Sequence, residues 1–167
     1  MSRVSSFNHV AINVRNLEAS LEFYEQGLGL RKTLVKSVGK DSWRLLRLPE
    51  GTTGRTAFLQ GEGRDTGQIE LVEWQLPVAD TAKPIRAGDP GPWVLSFRVE
   101  RDHIDGIYLR LTDMGYDCYT KPVSNLIENY GVVTMFMCED SDGNQIEIVS
   151  LPSREEVKAF RTAGAAS

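Results

Sequence analysis

The feature that most constrains the fold of this chain is a repeated pair of short apolar motifs. In the first half of the chain they are His9-Val-Ala-Ile-Asn-Val14 and Gln68-Ile-Glu-Leu-Val72, and in the second half Val94-Leu-Ser-Phe-Arg-Val99 and Gln145-Ile-Glu-Ile-Val149. The spacing within the two pairs differs, so the copies carry loops of different length. A duplication of this kind predicts two copies of one supersecondary unit.

The first copy is predicted as a strand, a helix and then further strands. Residues 7–14 alternate in the manner of a strand, and Asn16 then precedes apolar residues at helical spacing. Gly27 and Gly29 are expected to end this helix. The β segments that follow are predicted at 31–38, 42–48, 55–60 and 68–74.

The second copy repeats that order. Residues 93–99 are the predicted strand, Asp102 is expected to cap the helix, and the apolar stripe of that helix comprises Ile104, Ile107, Tyr108, Leu111 and Met114. Strands are predicted at 116–120, 132–139 and 145–151, whereas 123–131 is interpreted as a loop. The capping-box pattern from Ser153 to Glu156 predicts a short final helix.

These elements predict one domain over the 167 residues of the chain. The boundaries expected from the pattern are about 5–76 for module one, 77–92 for a linker rich in proline, 93–151 for module two and 153–162 for the C-terminal helix.

Composition and charge exclude several partners. The net charge is -4 and the basic residues are scattered along the sequence, which argues against nucleic-acid binding. No apolar run approaches the roughly 20 residues that span a bilayer, and residues 1–6 lack the apolar core of a signal peptide. We therefore expect a cytoplasmic protein without a membrane segment, in which Cys118 and Cys138 stay as thiols.

Two glutamates stand in the middle of otherwise apolar strands. Glu70 lies between Ile69 and Leu71, and Glu147 lies between Ile146 and Ile148. Burying a lone carboxylate in such a strand is costly, so a compensating group is expected. A divalent cation would compensate both carboxylates if the fold brought the strands together. The alternative is that each carboxylate faces solvent on a strand with one wet face.

Three segments resemble the vicinal oxygen chelate superfamily, which includes glyoxalases, bleomycin resistance proteins and extradiol dioxygenases. They are the opening FNHVAINVRNLEASLEFYEQGLGL, the strand QIELVEW and the closing DSDGNQIEIVSL, and the resemblance extends from Phe7 to Leu151. It implies an α+β fold of two tandem βαβββ modules that form an open, cup-shaped mixed β-sheet with flanking helices. It also implies a homodimer and a small-molecule substrate.

The same resemblance implies metal ligands on the first and last strands of each module. Carried over by position, these are His9, Glu70, the residue at 94 and Glu147. Position 94 is Val, which cannot bind a metal, so a three-ligand site of His9, Glu70 and Glu147 is expected. One imidazole and two carboxylates suit Fe, Mn, Zn, Ni, Co or Mg. The alternative for His9 is a strand histidine that bonds backbone or water.

Three functions remain open from the sequence. The first is a metal-dependent isomerase, epimerase or lyase of glyoxalase-like character, in which Glu147 or Glu70 moves a proton. The second is an Fe(II)-dependent extradiol-type dioxygenase that cleaves a ring. The third is a non-enzymatic protein that sequesters an aromatic small molecule or antibiotic. Motifs for nucleotide binding, phosphoryl transfer, serine hydrolysis and zincin chemistry do not occur in the sequence.

Overall fold

The computed structural model describes residues 7–38, 45–62, 67–75 and 84–164. The chain divides into two compact units, residues 1–83 and 84–167. This division falls inside the segment predicted as a linker, of which 77–83 lies outside the described residues.

The first unit is built on a four-stranded sheet. Its elements are β1 (His9–Asn13), α1 (Leu17–Leu21) with a π-helical continuation (Glu22–Gly27), β2 (Arg31–Ser37), β3 (Gly54–Gln60) and β4 (Gln68–Trp74). The strand order is β1-β4-β3-β2. The first and last strands run parallel, and the other pairs are antiparallel. As predicted, Asn16 begins the helix, and its side chain accepts a hydrogen bond from the Ala19 N–H.

The second unit repeats this topology. Its elements are β5 (Val94–Arg98), a 3-10 turn (Arg101–His103), α2 (Ile104–Asp113), β6 (Val123–Ile127), β7 (Gly131–Glu139), β8 (Gln145–Ser150) and α3 (Arg154–Gly164). The strand order is β5-β8-β7-β6, again with the first and last strands parallel. The predicted α+β fold of two βαβββ copies is therefore confirmed.

Each sheet has one face that is closed by a helix. In the first unit α1 contacts β3 and β4, and Ile69 and Leu71 of β4 are buried on that side. In the second unit α2 contacts β8, where Ile146 and Ile148 are buried. Because side chains alternate along a strand, Glu70 and Glu147 belong to the opposite faces of their sheets. The open faces therefore carry the candidate site residues.

Two strand predictions are wrong. Residues 45–48, the described part of the predicted strand 42–48, form a helical turn, and Arg47 has a φ of 56°, which an extended strand does not allow. Residues 116–120 contain only an isolated bridge at Cys118, and the strand of this copy is β6, within the predicted loop. The sequence of β6, Val-Ser-Asn-Leu-Ile, lacks regular alternation of apolar and polar residues, and all five residues are exposed.

The helix cap predicted at Asp102 is also absent. Asp102 lies inside the 3-10 turn that precedes α2, and the His103 N–H already bonds to the Glu100 carbonyl. Of the predicted apolar stripe of α2, Ile104 and Leu111 are buried, whereas Ile107, Tyr108 and Met114 are half-buried. The capping box of α3 is confirmed, since Ser153 and Glu156 bond to each other's backbone N–H. Among the described residues, the helices are too short or too polar to span a membrane.

Candidate functional site

The open face of the first sheet brings His9 and Glu70 together. Ala11 of β1 lies directly opposite Glu70 of β4, so His9 is the diagonal neighbour of this glutamate on the same face. His9 Nε2 lies 3.4 Å from Glu70 Oε2, and the two side chains are 40% and 20% exposed. The pair is therefore accessible from the open side of the sheet.

The contact made by His9 Nδ1 bears on what can lie between His9 Nε2 and Glu70 Oε2. Nδ1 is 2.7 Å from Asn8 Oδ1, and because an amide oxygen accepts, this contact favours the tautomer with the proton on Nδ1. In the neutral ring, Nε2 then presents a lone pair towards the Glu70 carboxylate. A proton on Nε2 or a cation would relieve the repulsion between these two acceptors. A histidine held through its second nitrogen in this way is common among metal ligands.

The separation of the pair also fits a shared metal. Metal–nitrogen and metal–oxygen bonds of about 2.0–2.2 Å, at a tetrahedral angle, place the two donor atoms about 3.4 Å apart. This matches the observed distance between His9 Nε2 and Glu70 Oε2. The distance between these two atoms is therefore compatible with a shared ion.

Neighbouring side chains fix the orientation of this pair. Thr56 is buried on β3, and its hydroxyl donates to Glu70 Oε1 at 3.0 Å. Phe58 lies opposite Glu70 in the register, and its ring meets the His9 ring edge-on at 5.9 Å. With Oε1 occupied by Thr56, Oε2 is the oxygen directed to His9.

A cavity of about 450 Å³ opens beside Glu70 in the first unit. Its polar side includes Thr56 and Asn13, and the Asn13 side chain accepts a hydrogen bond from the Trp74 indole N–H at 3.0 Å. The remaining lining residues are Ala11, Lys36, Val38, Leu45, Leu46, Leu48, Val72 and Trp74. The cavity is large enough for a small organic molecule that places a polar group at Glu70 and apolar groups elsewhere.

Glu147 has different neighbours on the open face of the second sheet. Ser96 of β5 lies directly opposite it, and the Ser96 hydroxyl donates to Glu147 Oε2 at 2.5 Å. On the other side, Met137 of β7 is its partner. Val94 stands where His9 stands in the first unit, two residues before the residue opposite the glutamate. Glu147 therefore pairs with a hydroxyl across the strand, whereas Glu70 pairs with an imidazole in the first unit.

The structure brings together two of the three predicted ligands, His9 and Glu70, in the first unit, and Glu147 belongs to the second unit. No group of three or more His, Cys, Asp or Glu side chains is arranged around a metal position in the part of the chain that the structure describes. The three-ligand site remains a prediction. Sequence reasoning missed Asn8 and Thr56, because their partners become apparent only from the strand register.

Comparison with known proteins identifies the family. The sequence model of the glyoxalase/bleomycin resistance protein/dioxygenase superfamily matches residues 6–148, which is most of the chain. This chain belongs to that superfamily. The superfamily assignment agrees with the duplicated βαβββ topology and confirms the resemblance seen in the sequence. Proteins with curated descriptions include no significant match to this chain.

Solved structures of this superfamily share the fold. A glyoxalase family protein from Bacillus cereus has a TM-score of 0.74 at 20% identity, covering 91% of this chain and 97% of that one. A glyoxylase/bleomycin resistance protein/dioxygenase domain from Frankia sp. has a TM-score of 0.61 at 21% identity, covering 91% and 96%. The fosfomycin resistance protein FosX from Listeria monocytogenes, solved with Mn(II) and sulfate, has a TM-score of 0.58 at 13% identity, covering 92% and 98%.

Proposed function

We propose that this superfamily member is a metal-dependent enzyme of glyoxalase-like character, an isomerase, epimerase or lyase. Its substrate would be a small molecule that binds the metal through two neighbouring oxygens. The observation that carries the proposal is the pairing of His9 and Glu70, in which Nε2 and Oε2 face each other at 3.4 Å. The superfamily contains metal-binding members, as the FosX structure with Mn(II) illustrates.

In this proposal His9 and Glu70 hold the ion, and Glu147 is the third ligand. The ion would be one of Fe, Mn, Zn, Ni, Co or Mg, since the donor set is one imidazole nitrogen and carboxylate oxygens. When bound, such an ion supplies a Lewis acid that stabilises negative charge on a substrate oxygen. Thr56 and Asn8 act as positioning residues, because they orient Glu70 and His9.

We propose Glu147 as the general base in preference to Glu70. Both oxygens of Glu70 have a partner, Thr56 on Oε1 and His9 on Oε2. Glu147 has one oxygen held by the Ser96 hydroxyl, and its other oxygen would have to leave the ion before it could accept a proton from substrate carbon. Ser96 keeps the carboxylate in one orientation while that proton moves.

The first experiment measures the metal content of protein purified without chelators and without a metal-binding tag. We expect near-stoichiometric metal in the wild type and loss of that metal in His9→Ala. The matched control is His103→Ala, because His103 is the other histidine of the chain and its side chain is 70% exposed. Equal metal content in both variants, or no metal after reconstitution of the wild type, contradicts the proposal.

The third ligand is tested separately by Glu147→Gln, with Glu155→Gln as the control on the exposed side of α3. Loss of an anionic ligand should weaken metal affinity by about 10- to 100-fold in Glu147→Gln only. Unchanged affinity in that variant removes Glu147 from the ligand set and leaves the His9–Glu70 pair in place.

Two alternatives lead to different outcomes of the same experiments. Tightly bound iron that oxidises in air favours the ring-cleaving dioxygenase. A non-enzymatic binding protein is favoured by Val94, which leaves Glu147 without an imidazole, and by the apolar residues beside Trp74 in the cavity. That alternative predicts tight binding of an aromatic molecule by metal-free protein and recovery of the molecule unaltered.

A further inference from the structure

A second cleft lies within the second unit, between α3 and the end of β5, with a volume of about 740 Å³. Among the described residues that line it, four are cationic, namely Arg98, Arg154, Lys158 and Arg161. None of these described lining residues is acidic. We refer to this feature, defined by those four residues, as the basic cleft.

The spacing of the helical residues explains how three of the charges meet. Arg154, Lys158 and Arg161 are separated by four and then three positions, which places them on one face of α3. The acidic residue Glu156 points elsewhere, where it bonds to Ser153 and to Arg101. In the described part of the chain, no carboxylate forms an ion pair with any residue of the basic cleft.

The fold does not explain this concentration of charge. Arg154 lies in the first turn of α3, at the positive end of the helix dipole, where a cation is unfavourable. Among the described residues, Arg161 bonds to a neutral group, the Asn129 carbonyl at 3.2 Å. Four like charges around one concavity repel each other, and yet the chain as a whole has a net charge of -4. A bound polyanion would relieve that repulsion.

The basic cleft continues the face that carries Glu147. Ser96 and Glu147 are directly opposite each other in the register, and Arg98 lies two residues beyond Ser96, opposite Val149. Arg98 therefore shares the face of Glu147, about 6.6 Å further along the strands. A small molecule that spans this distance reaches both Arg98 and the carboxylate of Glu147.

We propose that the basic cleft binds the multiply charged anionic group of a small molecule, a phosphate or polycarboxylate, through the forked guanidinium groups and Lys158. Arginine side chains bind such oxyanions through pairs of parallel hydrogen bonds. Tyr130 adds a hydroxyl at the same cleft. That this molecule is the substrate whose reacting end lies at Glu147 rests on the proposed function.

The test is calorimetric titration of the full chain, stripped of metal and dialysed free of chelator, with inorganic pyrophosphate and with citrate. We expect saturable 1:1 binding of at least one probe. The double variant Arg154→Gln/Lys158→Gln should weaken it by about ten-fold or more, because two charge-assisted contacts are lost. The control Arg47→Gln/Lys121→Gln removes the same charge from exposed positions outside the cleft and should change the affinity by less than two-fold.

Pyrophosphate binding that exceeds citrate binding identifies a phosphate site, and the reverse identifies a carboxylate site. Absence of binding by both probes, or equal weakening in the two double variants, overturns the proposal. Because the titration uses metal-free protein, it is independent of the metal centre. An Arg154→Gln/Lys158→Gln protein that keeps its metal separates failure of the basic cleft from failure of the proposed function.

Discussion

The Thr56 hydroxyl donates a 3.0 Å hydrogen bond to Glu70 Oε1, and this leaves Glu70 Oε2 as the oxygen that faces His9. The bond joins β3 to β4, so the orientation of the carboxylate is set by an adjacent strand and is independent of any ligand. An acidic ligand oriented before the metal arrives loses less rotamer freedom on binding.

Replacement of Thr56 by Val therefore tests the orientation of Glu70. Valine keeps the shape of threonine and removes the hydroxyl, so we expect metal affinity to fall by about 10-fold, as for other groups that orient a ligand. Thr33→Val is the control, because Thr33 is exposed on β2 and bonds only to the Phe58 carbonyl. Competition titration with a fluorescent chelator measures both affinities. An equal effect of the two substitutions contradicts the role of Thr56.

Introduction of histidine at position 94 tests the second sheet. Val94 has the same relation to Glu147 that His9 has to Glu70, so Val94→His should place an imidazole beside Glu147. We expect metal affinity to rise by about 10-fold or more, or a second ion to bind per chain, because a neutral imidazole is a strong ligand. The control is Val123→His, on exposed β6, two strands away from β8. No gain over this control excludes position 94 from the metal centre.

The sequence predicted those features that leave a periodic signature. The bounds of β4 at 68–74 were predicted without error, because Ile69 and Leu71 alternate with polar residues along this segment. The strand β6 was missed because it is an exposed edge strand that pairs only with β7. The proximity of His9 and Glu70 followed from resemblance, whereas the Thr56 hydrogen bond depends on register, which a single sequence does not specify.

The packing of α2 can be tested with two leucines of the same helix. Leu111 is fully buried, and Leu109 is 57% exposed. Leu111→Ala should lower the free energy of unfolding by about 2–5 kcal/mol, because it removes core contacts and leaves a cavity. Leu109→Ala should change it by less than about 0.5 kcal/mol. Urea unfolding monitored by circular dichroism measures both, and similar values would contradict the described burial.

The thiols should be unreactive in the folded protein. Burial raises the pKa of Cys138, and the neighbouring Cys118 adds to this effect. The pKa of Cys118 is also raised by burial and by Asp117. Because the thiolate is the reactive form, iodoacetamide at pH 8 should modify both cysteines rapidly only after unfolding in guanidinium chloride. Mass spectrometry counts the modified residues. Rapid modification of Cys138 in the folded chain would contradict this prediction.

The capping box of α3 predicts an acid-dependent helix end. The Ser153 N–H and hydroxyl lower the pKa of Glu156, with a further contribution from Arg101. A carboxyl whose folded pKa is lowered stabilises the fold fully above its unfolded pKa of about 4.3, and this contribution is lost as the pH falls through the folded value.

We therefore expect the first turn of α3 to lose protection from amide hydrogen exchange below about pH 4. Glu156→Gln should remove this pH dependence, and Glu155→Gln should retain it, since the capping bonds involve Glu156 alone. Hydrogen exchange read by NMR compares the three proteins. Identical acid profiles for the two variants would show that the capping box does not govern this end of the helix.

The pairing of β1 with β4 has a consequence for the order in which the site is assembled. His9 lies on the first strand of the unit in sequence and Glu70 on the last, and these two strands pair in parallel. Such a pairing closes the longest loop of the unit, so its entropic cost makes it slow to form. During synthesis, the two side chains cannot meet until β4 has left the ribosome, so a nascent chain that ends before β4 lacks the His9–Glu70 pair.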